Sequence, residues 1–128
     1  MRIAIPCEDE RGLNSNVSMH FGRSKYFVIV DVMGNKIKNI EVVQTPFEEH
    51  VPGQIPRFLY SLGVDTVICY GMGVKARMFL ESMGVKVITG AYGRVKDILE
   101  GFLQGTLVLD QEWDKKEEFR RHCRHIDL

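Results

Sequence analysis

The sequence predicts one α/β domain on a mixed sheet, and three observations carry that expectation. A β-branched and aromatic run, YFVIVDV at 26–32, is followed by a turn and a second run, KIKNIEVVQ, which together read as a hairpin. Farther along, VDTVICY at 64–70, GVKARMFLESMG at 73–84 and VKVITG at 85–90 give strand, helix and strand, the order of a parallel βαβ unit. RVKDILEGFLQG at 94–105 then repeats the helix. The result is a sheet of parallel strands with flanking helices and an N-terminal antiparallel hairpin, packed in two or three layers.

Each element has a local cause. RIAIP at 2–6 is a short apolar strand that Pro6 ends. In the hairpin, Gly34-Asn35 suits a tight turn, and Ile37, Ile40 and Val42 form a half-buried face with one irregularity of register. IPRFLYSLG sets Ile55, Phe58, Leu59 and Leu62 at helical spacing and places Gly63 where a C-terminal cap belongs. VDTVICY is almost continuously apolar, as a strand covered on both faces must be. The second helix stops at Gly84; the third turns Val95, Ile98, Leu99 and Phe102 to one side and stops at Gly105. The remainder, TLVLDQEWDKKEEFRRHCRHIDL, starts apolar and becomes charged from Gln111. It predicts a domain over residues 1–108 and a C-terminal helical extension over 109–128.

Composition narrows the function. An apolar share of 45% in 128 residues supplies one core without disulfide staples. Seventeen basic and seventeen acidic side chains cancel, so no long-range field gathers nucleic acid or an anionic membrane. The start, MRIAIPCEDE, lacks the long apolar region of a secretion signal, and no stretch approaches the roughly 20 apolar residues that span a bilayer. The expected location is the cytoplasm. Cys7, Cys69 and Cys123, odd in number and widely spaced, then read as reduced thiols.

The places where chemistry could reside are few. Gly71-Met72-Gly73 and Gly90-Ala91-Tyr92-Gly93 follow predicted parallel strands, at the carboxyl edge where ligands bind and where helix N-termini attract anions. GMGVKA lacks the third glycine of a dinucleotide fingerprint and the Lys-Ser/Thr of a phosphate loop, so ordinary turn glycines explain it equally well. Among soft donors, Cys69 sits within a core strand and reads as a small hydrophobe. Cys7 stands at a more open strand end, beside Glu8, Asp9 and Glu10, which disfavour its thiolate. His122-Cys123-Arg124-His125 groups three possible metal ligands in four residues, with His122 and His125 on one face if helical, although a solvated helix face accounts for it too. Asp31 and Asp65 are the only carboxylates on or at the start of core strands, which argues against a metal-dependent nuclease. Ser18 and His20 have no third group to orient them as a catalytic pair.

The combination of RIAIP, SMHFGRSKYFVIVDV, the glycine-bearing loop before the first helix, GVDTVICYGMGVKA and GVKVITG resembles the dinitrogenase iron-molybdenum cofactor-binding domain family over residues 2 to 107. Ser18-Met19-His20-Phe21-Gly22-Arg23 is its most specific part. The resemblance implies a ribonuclease H-like fold and a non-catalytic module that carries an iron-sulfur or iron-molybdenum-type cluster toward an acceptor protein. It makes His20 a candidate ligand or hydrogen-bond donor, helped by Arg23 and the N–H groups of Gly71 and Gly73, with His50 near the same mouth. Phe21 then has a core role, and Gly22 is expected to serve the backbone turn. Cys7, His122, Cys123 and His125 are the further candidate donors. The loop around His50, FEEHVPGQIP, is more acidic than the resemblance leads one to expect. The alternative is a regulatory module that binds a small anionic metabolite at the glycine turns without metal.

Overall fold

A computed structural model describes residues 1–47 and 51–116. Strands β1 (Arg2–Cys7), β2 (Tyr26–Met33), β3 (Lys36–Gln44), β4 (Thr66–Ile68) and β5 (Lys86–Ile88) form one sheet in the order β3-β2-β1-β4-β5. The β1–β2 and β2–β3 pairs are antiparallel, whereas β1–β4 and β4–β5 are parallel. The mixed sheet and its antiparallel hairpin are therefore as expected. Helices α1 (Gln54–Ser61), α2 (Val74–Ser82) and α3 (Val95–Gln104) complete the domain.

Side-chain alternation along the strands divides the core in two. Ile3, Ile5, Val28, Val30 and Ile68 face Val95, Ile98 and Leu99 of α3. Ala4, Phe27, Ile29 and Val67 face Leu59 of α1 and Leu80 of α2. Helices thus cover both faces, which resolves the layering as three. Ile37, Ile40 and Val42 lie opposite Val32, Val30 and Val28, and the irregularity falls between Asp31 and Val32, where Lys38 is the extra residue. The parallel strands are shorter than the apolar runs that announce them. Beyond Ile68 and Ile88 the chain leaves the ladder to make loop contacts, Gly90 N–H to the Tyr70 carbonyl (2.8 Å) and Ala91 N–H to that of Cys69 (3.1 Å), so Cys69 and Tyr70 stay buried without belonging to a strand.

After α3 the chain does not enter a helix at once. Leu107, Leu109 and Trp113 pack against the α3-side core, and a single 3-10 turn covers Trp113–Lys115. The Asp110 N–H donates to the Gly90 carbonyl at 2.7 Å and the Tyr70 hydroxyl donates to Asp110 Oδ2 at 2.8 Å. Residues 106–116 are thereby strapped along the carboxyl edge of the sheet. Residues of the expected C-terminal helix from 117 onward lie outside the described residues. Among the described residues no helix is long and apolar enough to cross a membrane.

Candidate functional site

The parallel strands β1, β4 and β5 end together at Cys7, Ile68 and Ile88, and antiparallel β2 begins at Tyr26 opposite Cys7. Four loops meet at that edge because backbone bonds stitch them. Val17 N–H donates to the Gly93 carbonyl (2.9 Å), Val95 N–H to that of Ser15 (3.0 Å), and Phe21 N–H to that of Gly71 (3.1 Å). The last bond pairs His20 with Gly71 in a parallel bridge. Two sequence-nominated segments, the MHFGR turn and the glycine loop, are thus joined through main chain.

His20 is extended (φ −123°, ψ 110°) and opens a 3-10 turn, Phe21–Arg23. Its own carbonyl accepts from Arg23 N–H at 3.2 Å and from the Ser18 hydroxyl at 3.3 Å, so the residue is held from both sides. Phe21 anchors the turn from below: it is 1% exposed and meets Phe27 edge-on, with ring centroids 5.6 Å apart. Gly22 departs from expectation. Its φ is not in the left-handed region, and a Cβ there would meet nothing within 4 Å, so the turn does not require glycine. What the glycine does is leave bare backbone between His20 and Arg23.

The edge carries charge of both signs, with the carboxylates Glu8, Glu10 and Asp110 beside several cations. Arg23, Lys25 and Arg94 are exposed, and none has an ion pair among the described residues. Gly73 stands at the N-cap of α2 with no side chain to cap it, which turns the first N–H groups of that helix toward any ligand. Beside these lies an open pocket of about 430 Å³ lined by Met19, Tyr70, Tyr92 and Asp110. Tyr92 is 54% and Met19 40% exposed at its mouth. The Tyr70 hydroxyl, then the Glu112 N–H, hold the Asp110 carboxyl below the usual carboxylate range.

Cys69 lies in the core as expected, and the departure concerns the exposure of Cys7. It is not at an open strand end: it is the last residue of β1, 1% exposed, its Sγ donating to the Asp9 carbonyl at 3.3 Å. Burial pushes its pKa up to about 11, and the neighbouring Asp9 adds to the rise. Cys69 is fully buried on the opposite face and is pushed up to about 12 by the same cause. In the folded protein both thiols are expected to resist iodoacetamide at mildly alkaline pH and to react only after denaturation, as peptide mass mapping will show; rapid native labelling of either would contradict this burial.

His20, Arg23, Gly71 and Gly73 are therefore gathered at one edge, whereas Cys7 points into the core. His50, His122, Cys123 and His125 lie outside the described residues. Among the described residues no three or more His, Cys, Asp and Glu side chains cluster as a metal site. Sequence reasoning passed over Met19, Tyr70, Tyr92 and Asp110. Met19 and Tyr92 carried a usable signal, being large apolar side chains inside loops already singled out. Asp110 carried none, since its place depends on the path of the chain after α3.

Comparison with known proteins decides the family. The model of the dinitrogenase iron-molybdenum cofactor family matches residues 1–105. This chain belongs to that family. Among solved structures, that of PH0822 shares 49% identity with a TM-score of 0.84, over 88% of this chain and 99% of that one. A Thermotoga protein described as a candidate NifB protein, TM1290, shares 34% identity at TM-score 0.69, over 84% and 91% of the two chains. The apo form of the orange protein from Desulfovibrio gigas shares 26% identity at TM-score 0.72, over 86% and 92%. Family membership associates the fold with a cofactor, and the strap over residues 106–116 begins where the family match ends.

Proposed function

We propose that this family member is a carrier that holds an anionic iron-sulfur or iron-molybdenum-type cluster at the carboxyl edge of its sheet and passes it to an acceptor protein. The observation that carries the reading is the His20–Gly71 bridge, which sets an imidazole-bearing turn against the uncapped start of α2. Imidazole is a competent iron ligand, and N–H dipoles with guanidinium groups offset the charge of sulfide. His20 serves as the ligand or as a donor to the cluster, Arg23 and Arg94 supply positive potential, and bare Gly22 allows close approach. A site with few protein donors also suits a cargo that must leave. The work is binding and release, with no catalytic step, in the cytoplasm and without nucleic acid or membrane.

Anaerobic reconstitution with iron and sulfide tests the proposal. Wild-type protein is expected to retain iron and acid-labile sulfide with a visible charge-transfer spectrum. His20→Ala is expected to lose about ten- to a hundredfold in cluster affinity, the range for removing a group that holds or orients a metal ligand. Colourless wild-type protein under conditions that load a known carrier would remove self-assembled cluster binding, and phosphate or sulfate affinity at the glycine turns would then point to the small-anion reading.

A further inference from the structure

On one side the sheet ends at β3, a strand of nine residues. Thr45 N–H donates to the Lys25 carbonyl at 2.8 Å, which fixes the alternation of the antiparallel ladder. Asn39, Glu41 and Val43 turn their main-chain groups inward to β2, and Ile40, Val42 and Gln44 turn theirs outward. None of the outward groups is bonded to another described residue. Such a row is a template for another strand, and proteins guard it with lysines, prolines or bulges. Here the guards stand at the ends: Lys36 and Lys38 with the bulge on one side, Pro46 on the other. Between them Asn39–Thr45 runs without irregularity and carries one charge, Glu41, which Arg2 Nη2 holds at 2.9 Å.

The partner that fits this stretch is the stretch itself. Val42 is its middle residue, 37% exposed, with half-buried Ile40 beside it on the α3 face. An antiparallel copy placed on a two-fold axis at Val42 sets Val42 against Val42, Ile40 against Gln44 and Glu41 against Val43. Outward amides then meet outward carbonyls, apolar side chains meet across the axis, and no like charges stand opposite. The neighbouring registers do worse. Centring on Glu41 opposes two carboxylates, centring on Ile40 runs into the bulge, and centring on Val43 sets Ile40 against Pro46, which has no N–H.

We propose that β3 pairs antiparallel with the β3 of a second copy of this chain, about a two-fold axis at Val42, and joins two sheets into one. The loops that follow β4 and β5 lie toward the other side of the sheet, so the pairing stands apart from the carrier reading.

Sedimentation and amide exchange on the full chain test it. The mass is expected to rise with concentration, from micromolar to millimolar, toward twice the 14.7 kDa of one chain. In the concentrated sample the amides of Ile40, Val42 and Gln44 should exchange slowly, and on dilution these three alone along Asn39–Gln44 should become fast. Val42→Lys, which opposes two cations, and Val42→Pro, which removes an N–H that β2 does not use, should each weaken association about tenfold or more. Circular dichroism like that of wild type shows that both variants fold. The register has its own test. In a Cys123→Ser background, where the remaining thiols are buried, Val42→Cys should cross-link to its symmetry mate under diamide, since bonded antiparallel pairs lie about 5.5 Å apart, within disulfide reach. Gln44→Cys, facing Ile40, should not. A chain that stays monomeric at millimolar concentration overturns the pairing, as does a dimer that Val42→Lys leaves unchanged. Cross-linking stronger at Gln44→Cys than at Val42→Cys overturns the axis.

Discussion

Phe21→Ala is expected to cost about 3–5 kcal/mol of stability, the range for emptying a buried aromatic position. The ring is fully enclosed and sits edge-on to Phe27, a geometry that contributes about 0.5–1.5 kcal/mol beyond its area. Domains of this kind are stable by about 5–15 kcal/mol, so the variant remains folded in the cold but loses much of its margin. The second effect is functional. Phe21 N–H makes the bond to Gly71 that places His20, and a turn that has lost its anchor holds the imidazole less firmly. Urea titration measures the first effect and iron retention below the unfolding transition measures the second. Phe21→Leu should recover most of both, since it refills the space with an apolar side chain. A stability loss under about 1 kcal/mol would mean that the turn is not anchored by this ring.

Gly90→Val is expected to release the strap. Gly90 has φ +92°, and a Cβ built there falls 2.5 Å from the Asp110 carbonyl oxygen, a main-chain atom that cannot swing aside as a flexible side chain can. Left-handed strain alone costs about 1–2 kcal/mol for a residue with a Cβ. Contact with a backbone oxygen adds to it, for a total of roughly 3 kcal/mol. Trp113, the sole tryptophan, lies in the strap and packs on the core, so its emission should shift to the red and become open to quenching by acrylamide. Asp110→Ala removes the clasp without the clash and should give a smaller shift. An unmoved Trp113 spectrum in Gly90→Val would show that the strap is held by its apolar anchors alone.

These two positions also mark how far the sequence could be read. The strand, turn and helix patterns were legible because each is local: Gly34-Asn35 turns the hairpin, and apolar spacing defines the three helices. The resemblance brought out His20 and its neighbours, and the bridge to Gly71 joined them to the glycine loop. The acidic neighbours of Cys7 rightly mark a disfavoured thiolate, but its strand-end position suggests an openness that Val17, Val28 and the rest of the α3-side core, distant in sequence, take away. The resemblance assigns Gly22 to the turn, yet its φ lies outside the left-handed region. Gly90 was read as one of several turn glycines, and its particular requirement arises only from Asp110, which a scan of neighbouring residues does not bring near it.

Under the carrier proposal, the stitching of the carboxyl edge has a bearing on when cargo can be taken up. Val17 bonds to Gly93, His20 pairs with Gly71, and Tyr70 reaches Asp110, so each bond at the mouth closes a long loop of chain. Contacts of that kind are entropically expensive to form early and tend to come late in folding. A nascent or partly folded chain therefore presents His20 and Arg23 without the partner loop, and the proposed site is incomplete until the last segment is in place. Under the carrier proposal, loading is contingent on completed folding, and a defective copy takes up no cargo, without any separate inspection step.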